Sequence, residues 1–254
     1  MNEQQVATTV EDAPRYNLLL GDSVETLAGL PDESVDLIIT DPAYESLEKH
    51  RARGTTTRLK HSKGSSNDWF DIFPNSRYPE LFAQLYRVLR NNAHLYVFCD
   101  VETMFVIKPV GETAGFTFWN PIVWDKDSIG MGYHYRSQYE IINFFEKGKL
   151  ALADLGMSNI FRVKRVRNGY PTEKPVEAIS KLISQSGHIG DVVLDPFSGS
   201  GATGVAAVQA GCSYIGIDTS EKAHDIARQR LKDAGAVQCN EIRSVPDDGQ
   251  IALF

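Results

Sequence analysis

Cysteine is scarce: three in 254 residues, namely Cys99, Cys212 and Cys239. They are odd in number and show no Cys-x-x-Cys spacing, which argues against a disulfide framework and against a zinc site. The six histidines form no His-Glu-x-x-His or facial-triad pattern. His94 leads into an apolar stretch and reads as structural, while His134, among aromatics, stays open to either reading. No apolar run reaches the eighteen residues of a bilayer span. The start Met1-Asn2-Glu3-Gln4-Gln5 has neither the basic nor the apolar region of a signal peptide. The expectation is a cytoplasmic protein with no membrane partner and no metal. Positive charge is in deficit, with 26 Lys and Arg against 33 Asp and Glu for a net −7. That argues against a surface coated by nucleic acid, although local charge can oppose the total.

What is present is an alternation of short apolar strands and helical stretches. Residues 1–15 carry no periodicity and read as a flexible arm. Tyr16 to Leu20 is expected as a strand, Ser23 to Leu30 as a helix, and Val35 to Thr40 as a buried strand. From Glu45 to Arg77 the apolar pattern vanishes into a basic loop, of a length that is usually functional or disordered. Tyr78 to Arg90 resumes helical spacing, and His94 to Asp100 is a strand. Glu102 to Thr113 reads as a helix interrupted at Lys108-Pro109. Strands are expected at 117–119, 122–124 and 138–145. Gly156 to Tyr170 is basic and irregular. Pro175 to Gln185, 191–195, 202–210, 213–218 and 220–232 then alternate helix, strand, helix, strand, helix, which implies a parallel sheet. One domain over 16–235 is expected, with a tail over 236–254.

Two strand ends carry chemistry. Asp41-Pro42-Ala43-Tyr44 follows the apolar Val35 to Thr40 directly. Its carboxylate can accept from an amino group, Pro42 stiffens the turn and withdraws one backbone donor, and Tyr44 offers a ring face. An Asp-Pro turn after a strand explains the same residues without chemistry. The second end is Asp195-Pro196-Phe197-Ser198-Gly199-Ser200-Gly201, a strand, a glycine-rich turn and a helix start, where free N–H groups and missing side chains let a ligand approach. Gly199, Gly201 and Gly204 satisfy G-x-G-x-x-G, and Asp218 ends the next strand at the spacing of a ribose-binding acid, so a nicotinamide oxidoreductase is one reading. Any nucleoside cofactor at a first βα turn gives the same spacing. Asp195 also directs negative charge toward the place a pyrophosphate would lie, and would suit an α-amino group better.

Taken together, the two motifs resemble the amino-methylating DNA methyltransferases that use S-adenosylmethionine, in the permuted group whose catalytic motif precedes its cofactor motif. Asp41-Pro42-Ala43-Tyr44 resembles that family's (D/N/S)-P-P-(Y/F), with Ala43 replacing the usual second proline. Asp195 to Gly201 resembles its cofactor motif, Thr172-Glu173-Lys174-Pro175 its T-x-K-P element, and Gly21-Asp22 its N-terminal cofactor acid. The resemblance covers Tyr16 to Lys232. It implies an α/β, Rossmann-like methyltransferase fold: a mostly parallel seven-stranded sheet with one antiparallel edge strand and helices on both faces.

The resemblance further implies that Asp41, Pro42 and Tyr44 hold and stack a flipped-out base. It places Asp22, Thr172, Lys174, Asp195, Phe197, Ser198, Gly199, Gly201 and Asp218 around S-adenosyl-L-methionine. The aspartate-led motif favours adenine N6 in DNA, with cytosine N4 or an RNA amine as alternatives. Phosphate contacts are expected from Lys49, Arg51, Arg53, Arg58, Lys60 and Lys63 in the 45–77 loop, and from Arg162, Lys164, Arg165 and Arg167 in a DNA-recognition insert over 149–170. Solvated surface charge is the plainer alternative for both clusters. Double-stranded DNA is the expected partner, and a homodimer a further expectation.

Overall fold

A computed structural model describes residues 13–46, 71–130, 134–167, 170, 172–239 and 251. In chain order its elements are β1 (Arg15–Leu20), α1 (Ser23–Ala28), β2 (Val35–Thr40), a 3-10 turn (Asn75–Arg77), α2 (Tyr78–Val88), β3 (Leu89–Cys99), α3 (Val101–Ala114), β4 (Thr117–Asp125), β5 (Tyr139–Lys147), β6 (Ile160–Arg162), α4 (Val176–Ser186), β7 (Val192–Asp195), α5 (Ala202–Gln209), β8 (Ser213–Asp218), α6 (Glu221–Asp233) and β9 (Val237–Gln238). The strands form one sheet in the order β6-β4-β5-β3-β2-β7-β8-β1-β9.

Strand alternation divides the core into two layers. Leu18, Leu37, Ile39, Tyr96, Phe98 and Val193 face one side, where they meet Ile179 and Leu182 of α4, Ala206 of α5 and Leu231 of α6. Leu19, Ile38, Leu95, Val97 and Leu194 face the other, against Leu27 of α1, Phe82 and Leu85 of α2 and Ile107 of α3. A strand buried on both faces needs mostly apolar residues, which is why Val35, Leu37, Ile38 and Ile39 of β2 and Val192 to Leu194 of β7 are apolar.

The mostly parallel sheet with helices on both faces is as expected, with two corrections. Among the described residues it has nine strands, not seven, because the short β6 and β9 are added beside β4 and β1. Its antiparallel strand, β5, is internal, paired with both β3 and β4. β6 rises from the segment expected to be irregular, and β9 from the segment expected to be a tail. Ile251 is also buried, and its N–H donates to the Gly29 carbonyl at 2.9 Å.

Helix α3 runs through Pro109 without a break. Pro109 lies on the exposed face, so the carbonyl it leaves unpaired one turn earlier is available to water, and the helix survives a residue that would end a buried one. Asp100 caps its start, accepting from Thr103 N–H at 2.8 Å, and Gly115 ends it at φ 110°. His94 is structural as expected: its ring is buried between the Ser186 hydroxyl at 2.7 Å and the Leu150 carbonyl at 3.1 Å.

Gly204 sets the distance between α5 and the sheet. A Cβ there would lie 2.6 Å from carbons of the Tyr214 ring, which is fully buried on β8. Gly204→Ala is expected to lower the unfolding free energy by about 1–3 kcal/mol, the usual cost of overpacking a close-fitted core. A denaturant titration that shows no loss would exclude this packing constraint.

Candidate active site

β2 and β7 lie side by side in parallel, with Leu37 opposite Val193 and Ile38 opposite Leu194. From β2 the sheet continues through β3, and from β7 through β8 on the other side. In an open α/β sheet such a reversal leaves a crevice outside the carboxyl ends of the two strands. Asp41 follows β2 and Asp195 ends β7, so both acids stand at that crevice. Thr40 joins them: its hydroxyl donates to Asp195 Oδ1 at 2.9 Å.

The crevice is a cavity of about 610 Å3, a size that suits a small-molecule ligand. Its wall brings together Asp22, Asp41, Pro42, Tyr44, Thr172, Lys174, Asp195, Phe197, Ser198, Gly199 and Asp218. Of the expected cofactor and base residues, Gly201 alone is outside that lining. Gly201 opens α5 at φ 76° with its Cα close to Ala227, where a Cβ would come within 2.9 Å of the Ala227 side chain. Its role is to shape the turn that carries Ser198 and Gly199.

Around Asp41 the charges alternate. Lys174 Nζ donates to Asp41 Oδ2 and lies 3.4 Å from Glu140 Oε2. Glu140 Oε1 in turn accepts from Lys126 Nζ at 3.2 Å. Asp41 Oδ1 is buried and has no hydrogen-bond partner among the described residues. Burial pushes the Asp41 carboxyl up to about 6, against the pull of Lys174 and with the repulsion of Glu140. Burial opposes charge on Lys174, but Asp41 and Glu140 outweigh it and hold the lysine above its ordinary value.

Asp195 has no such cation among the described residues. Besides Thr40 it accepts from Phe197 N–H at 3.1 Å, and burial pushes its carboxyl up to about 7 despite these bonds and one from Thr203. Asp218 accepts from Gly199 N–H and from Ser220 N–H, each at 2.8 Å, so it braces the glycine turn as well as facing the cavity. Burial raises its carboxyl too. Asp22 caps α1, accepting from Val24 N–H at 3.0 Å and Glu25 N–H at 3.2 Å, and holds Arg77 through two bonds of 2.7 and 2.8 Å. The Arg77 hydrogen bonds keep this carboxyl below its ordinary range.

The loops after β2 and β7 are pinned through Phe73. Its N–H donates to the Ala43 carbonyl at 2.7 Å, and its ring meets Phe197 edge-on at 5.1 Å. Ala43, where the resemblance leads one to expect proline, thus sits in a loop tied to its neighbour by a hydrogen bond. Ser23 Oγ donates to the Pro196 carbonyl at 2.6 Å, which fixes the start of α1 to the same turn. On the other flank Glu173 Oε1 pairs with Arg230 at 2.8 Å, and Arg230 reaches the Ser200 carbonyl at 3.0 Å and hydroxyl at 2.8 Å. This clamp ties the Thr172 to Pro175 element to the glycine turn. Thr172 itself is exposed, with φ 62°.

Sequence reasoning missed Thr40, Phe73, Arg77, Lys126 and Arg230. Each of these acts through a partner elsewhere in the chain. Among the expected phosphate contacts, Arg162 pairs with Asp125 at 2.8 Å and Asp127 at 3.6 Å. Lys164, Arg165 and Arg167 are exposed, and Arg165 reaches the cavity wall. Lys49, Arg51, Arg53, Arg58, Lys60 and Lys63 lie outside the described residues.

A doubly wound α/β domain with an Asp-Pro turn and a glycine turn flanking one crevice defines a nucleoside-cofactor enzyme class. Residues 35–229 match the DNA methylase family model N6_N4_Mtase, and the chain belongs to that family. This membership replaces the nicotinamide oxidoreductase reading. YubD of Escherichia coli K12 is 32% identical over 212 residues, covering 83% of this chain and 88% of YubD. The DNA adenine methyltransferase YhdJ of the same organism is 28% identical, covering 90% of this chain and 86% of its own length. The structure of M1.HpyAVI in complex with SAM superposes with a TM-score of 0.64 at 24% identity, covering 85% of this chain and 99% of that one.

Because the Asp195 carboxyl is raised on folding, its contribution to stability is fully present below the unfolded value near 3.8 and is lost as pH rises through about 7. Asp195→Asn removes that dependence. The melting temperature of the variant relative to the parent is therefore expected to increase between pH 5 and pH 8. A constant difference across that window would show that Asp195 is not a buried, raised carboxyl.

Proposed function

We propose that the chain transfers a methyl group from S-adenosyl-L-methionine to the exocyclic N6 amine of a flipped-out adenine in DNA. The observation that carries this reading is the buried Asp41 Oδ1, without a donor among the described residues and set in the same cavity as the glycine turn after β7. A buried acceptor without a donor is costly unless a ligand supplies one. An amino group is such a donor.

The residues present fit the cofactor. Asp195, buried, and Asp218, half-buried, are carboxylates held by neutral donors, with no salt-bridge cation among the described residues, and they suit a ligand with a positive end and hydroxyls. A pyrophosphate would meet repulsion at the same place. Asp195, Lys174 and Thr172 would hold the methionine end, with Phe197 and Ser198 lining the turn. Gly199 allows backbone approach, and Gly201 sets the turn. Asp218 would accept from ribose hydroxyls, and Asp22 from the adenine amino group of the cofactor. The bound cofactor supplies an electrophilic methyl.

The chain's own residues do the rest. Asp41 Oδ1 and the Pro42 carbonyl accept the two hydrogens of the target amine, which draws its lone pair out of conjugation and orients it for in-line attack. Holding the reactants in line and stabilising the charge that develops on nitrogen supply the rate. Tyr44, half-buried at the cavity wall, would stack on the extruded base, since a base inside a duplex cannot reach this depth. The exposed Lys164, Arg165 and Arg167 give an acidic protein a basic rim for phosphates. The aspartate-led motif and the similarity to YhdJ support adenine over cytosine.

Two measurements test the reading. With labelled S-adenosylmethionine and, in parallel, unmethylated duplex DNA and RNA of mixed sequence, digestion to nucleosides is expected to yield labelled N6-methyl-2′-deoxyadenosine from the DNA. Asp41→Ala is expected to reduce it by at least about a hundredfold, the scale of losing one preorganised hydrogen-bonding group at a reacting centre. Label in N4-methylcytosine would overturn the base assignment, label only in RNA the substrate, and no label in either the reaction. Replacing Arg165 and Arg167 by Gln is expected to flatten the dependence of log affinity for duplex DNA on log salt by roughly 0.9 for each phosphate no longer neutralised. An unchanged slope would remove that rim from the DNA interface.

A further inference from the structure

The lysine beside Asp41 is shared. Lys174 Nζ donates to Asp41 Oδ2 and lies 3.4 Å from Glu140 Oε2. Glu140 projects from β5 and Lys126 follows β4. Lys126 Nζ is 3.2 Å from Glu140 Oε1. The result is an alternating row, Asp41, Lys174, Glu140, Lys126, that runs from the cavity floor across two further strands. Two buried carboxylate oxygens of the row lack a hydrogen bond among the described residues, Asp41 Oδ1 and Glu140 Oε2, and the second is already 3.4 Å from Lys174 Nζ.

We propose that Glu140 and Lys126 are positioning residues for the transfer reaction: through their contest for Lys174 they set how much positive charge reaches Asp41, and so how strong an acceptor Asp41 is. A lysine bonded to Asp41 alone would neutralise it and weaken its grip on an amine. No lysine at all would leave a partly buried, unpaired carboxylate, which is more readily protonated and then can no longer accept at both oxygens. Glu140 takes part of the lysine, and Lys126 limits how much it takes. The row explains why β5, the antiparallel strand, carries a half-buried acid between the uncharged Tyr139 and Ile141. The inference rests on the methyl-transfer reading above.

Other titratable groups also bear on Asp41. Asp195 is a further acid, with a repulsive effect between it and Asp41. Tyr44, Tyr78 and Cys99 are kept neutral by burial, and Asp100 is engaged with Ser46 and the start of α3. Glu140 is held charged, since Lys174 and Lys126 overcome its burial.

Two variants move Asp41 in opposite directions. Glu140→Gln removes a repelling carboxylate and frees Lys174 for Asp41, so the acid limb of the pH–rate profile is expected to shift down, on the order of one pH unit. Lys126→Met leaves Glu140 with Lys174 alone, draws the lysine away, and is expected to shift the limb up. The same shifts should be visible without turnover, by carbon-13 titration of aspartate carboxyls in the full chain, with Asp41→Asn to assign the signal. A purely structural role would lower melting temperature and rate in both variants and leave both the limb and the carboxyl signal where they were; that result, or shifts of the same sign, overturns the inference. If the parent protein methylates no nucleic acid at any pH, the functional reading fails instead, and the carboxyl titration still decides whether the row tunes Asp41.

Discussion

One hydrogen bond between neighbouring strands organises this molecule's chemistry: the Thr40 hydroxyl on Asp195 Oδ1. It exists because β2 and β7 run in parallel at the point where the sheet reverses direction. Asp41 and Asp195, the two acids central to the proposed reaction, stand at that pair of strand ends. The carboxylate that follows β2 is matched to a lysine, whereas the one that ends β7 is matched only to hydroxyl and amide donors among the described residues. Two acids, one accepting this hydrogen bond and the other next to its donor, therefore have different partners, which under the proposed reading suits a neutral amine at Asp41 and a cationic group at Asp195.

The residues around these acids divide into those that meet the cavity and those that keep others in place. Phe73 ties one loop to the other, Ser23 fixes the start of α1 to the Pro196 carbonyl, and Arg230 anchors the Lys174 segment to the glycine turn. Each joins elements far apart in sequence, so the cavity's shape is a property of the tertiary fold and not of any one motif. Preorganisation of this kind is what lets a small set of dipoles act on a reaction without first having to be rearranged.

Much of the frame was legible in the sequence. β8 spans Ser213 to Asp218 as its apolar run indicates, and both acid motifs stand at strand ends because turn residues follow buried runs directly. Less legible was β3, which begins at Leu89 and passes through Arg90, Asn91 and Asn92 before its apolar part. Polar residues at the exposed start of a strand carry no periodicity to detect. Pro109 misled for a related reason: local rules assume that a lost helix hydrogen bond must be replaced by protein, whereas on an exposed face water can do it. The internal place of β5 depends on which strand each hairpin partner chooses, and the pairings of Arg77, Lys126 and Arg230 depend on distances no spacing encodes. Long-range charge partners are invisible to pattern, even when each partner is plainly charged.

The position of β1 bears on how the molecule is made. Its longer pairing is with β8, Tyr16 opposite Tyr214 and Leu20 opposite Asp218, and the Gly21 N–H donates to the Asp218 carbonyl at 3.0 Å. Nearly the whole domain is synthesised between these two strands. A ribosome-bound chain can build β2, β3 and the helices that cover them while β1 still lacks its neighbour. High sequence separation of this sort slows closure, since the entropy of a large loop must be given up before the new pairing compensates it. The Asp22 side of the cavity is thus completed only after β8 has emerged, so an unfinished chain holds Asp41 at its strand end without the full pocket needed to use it.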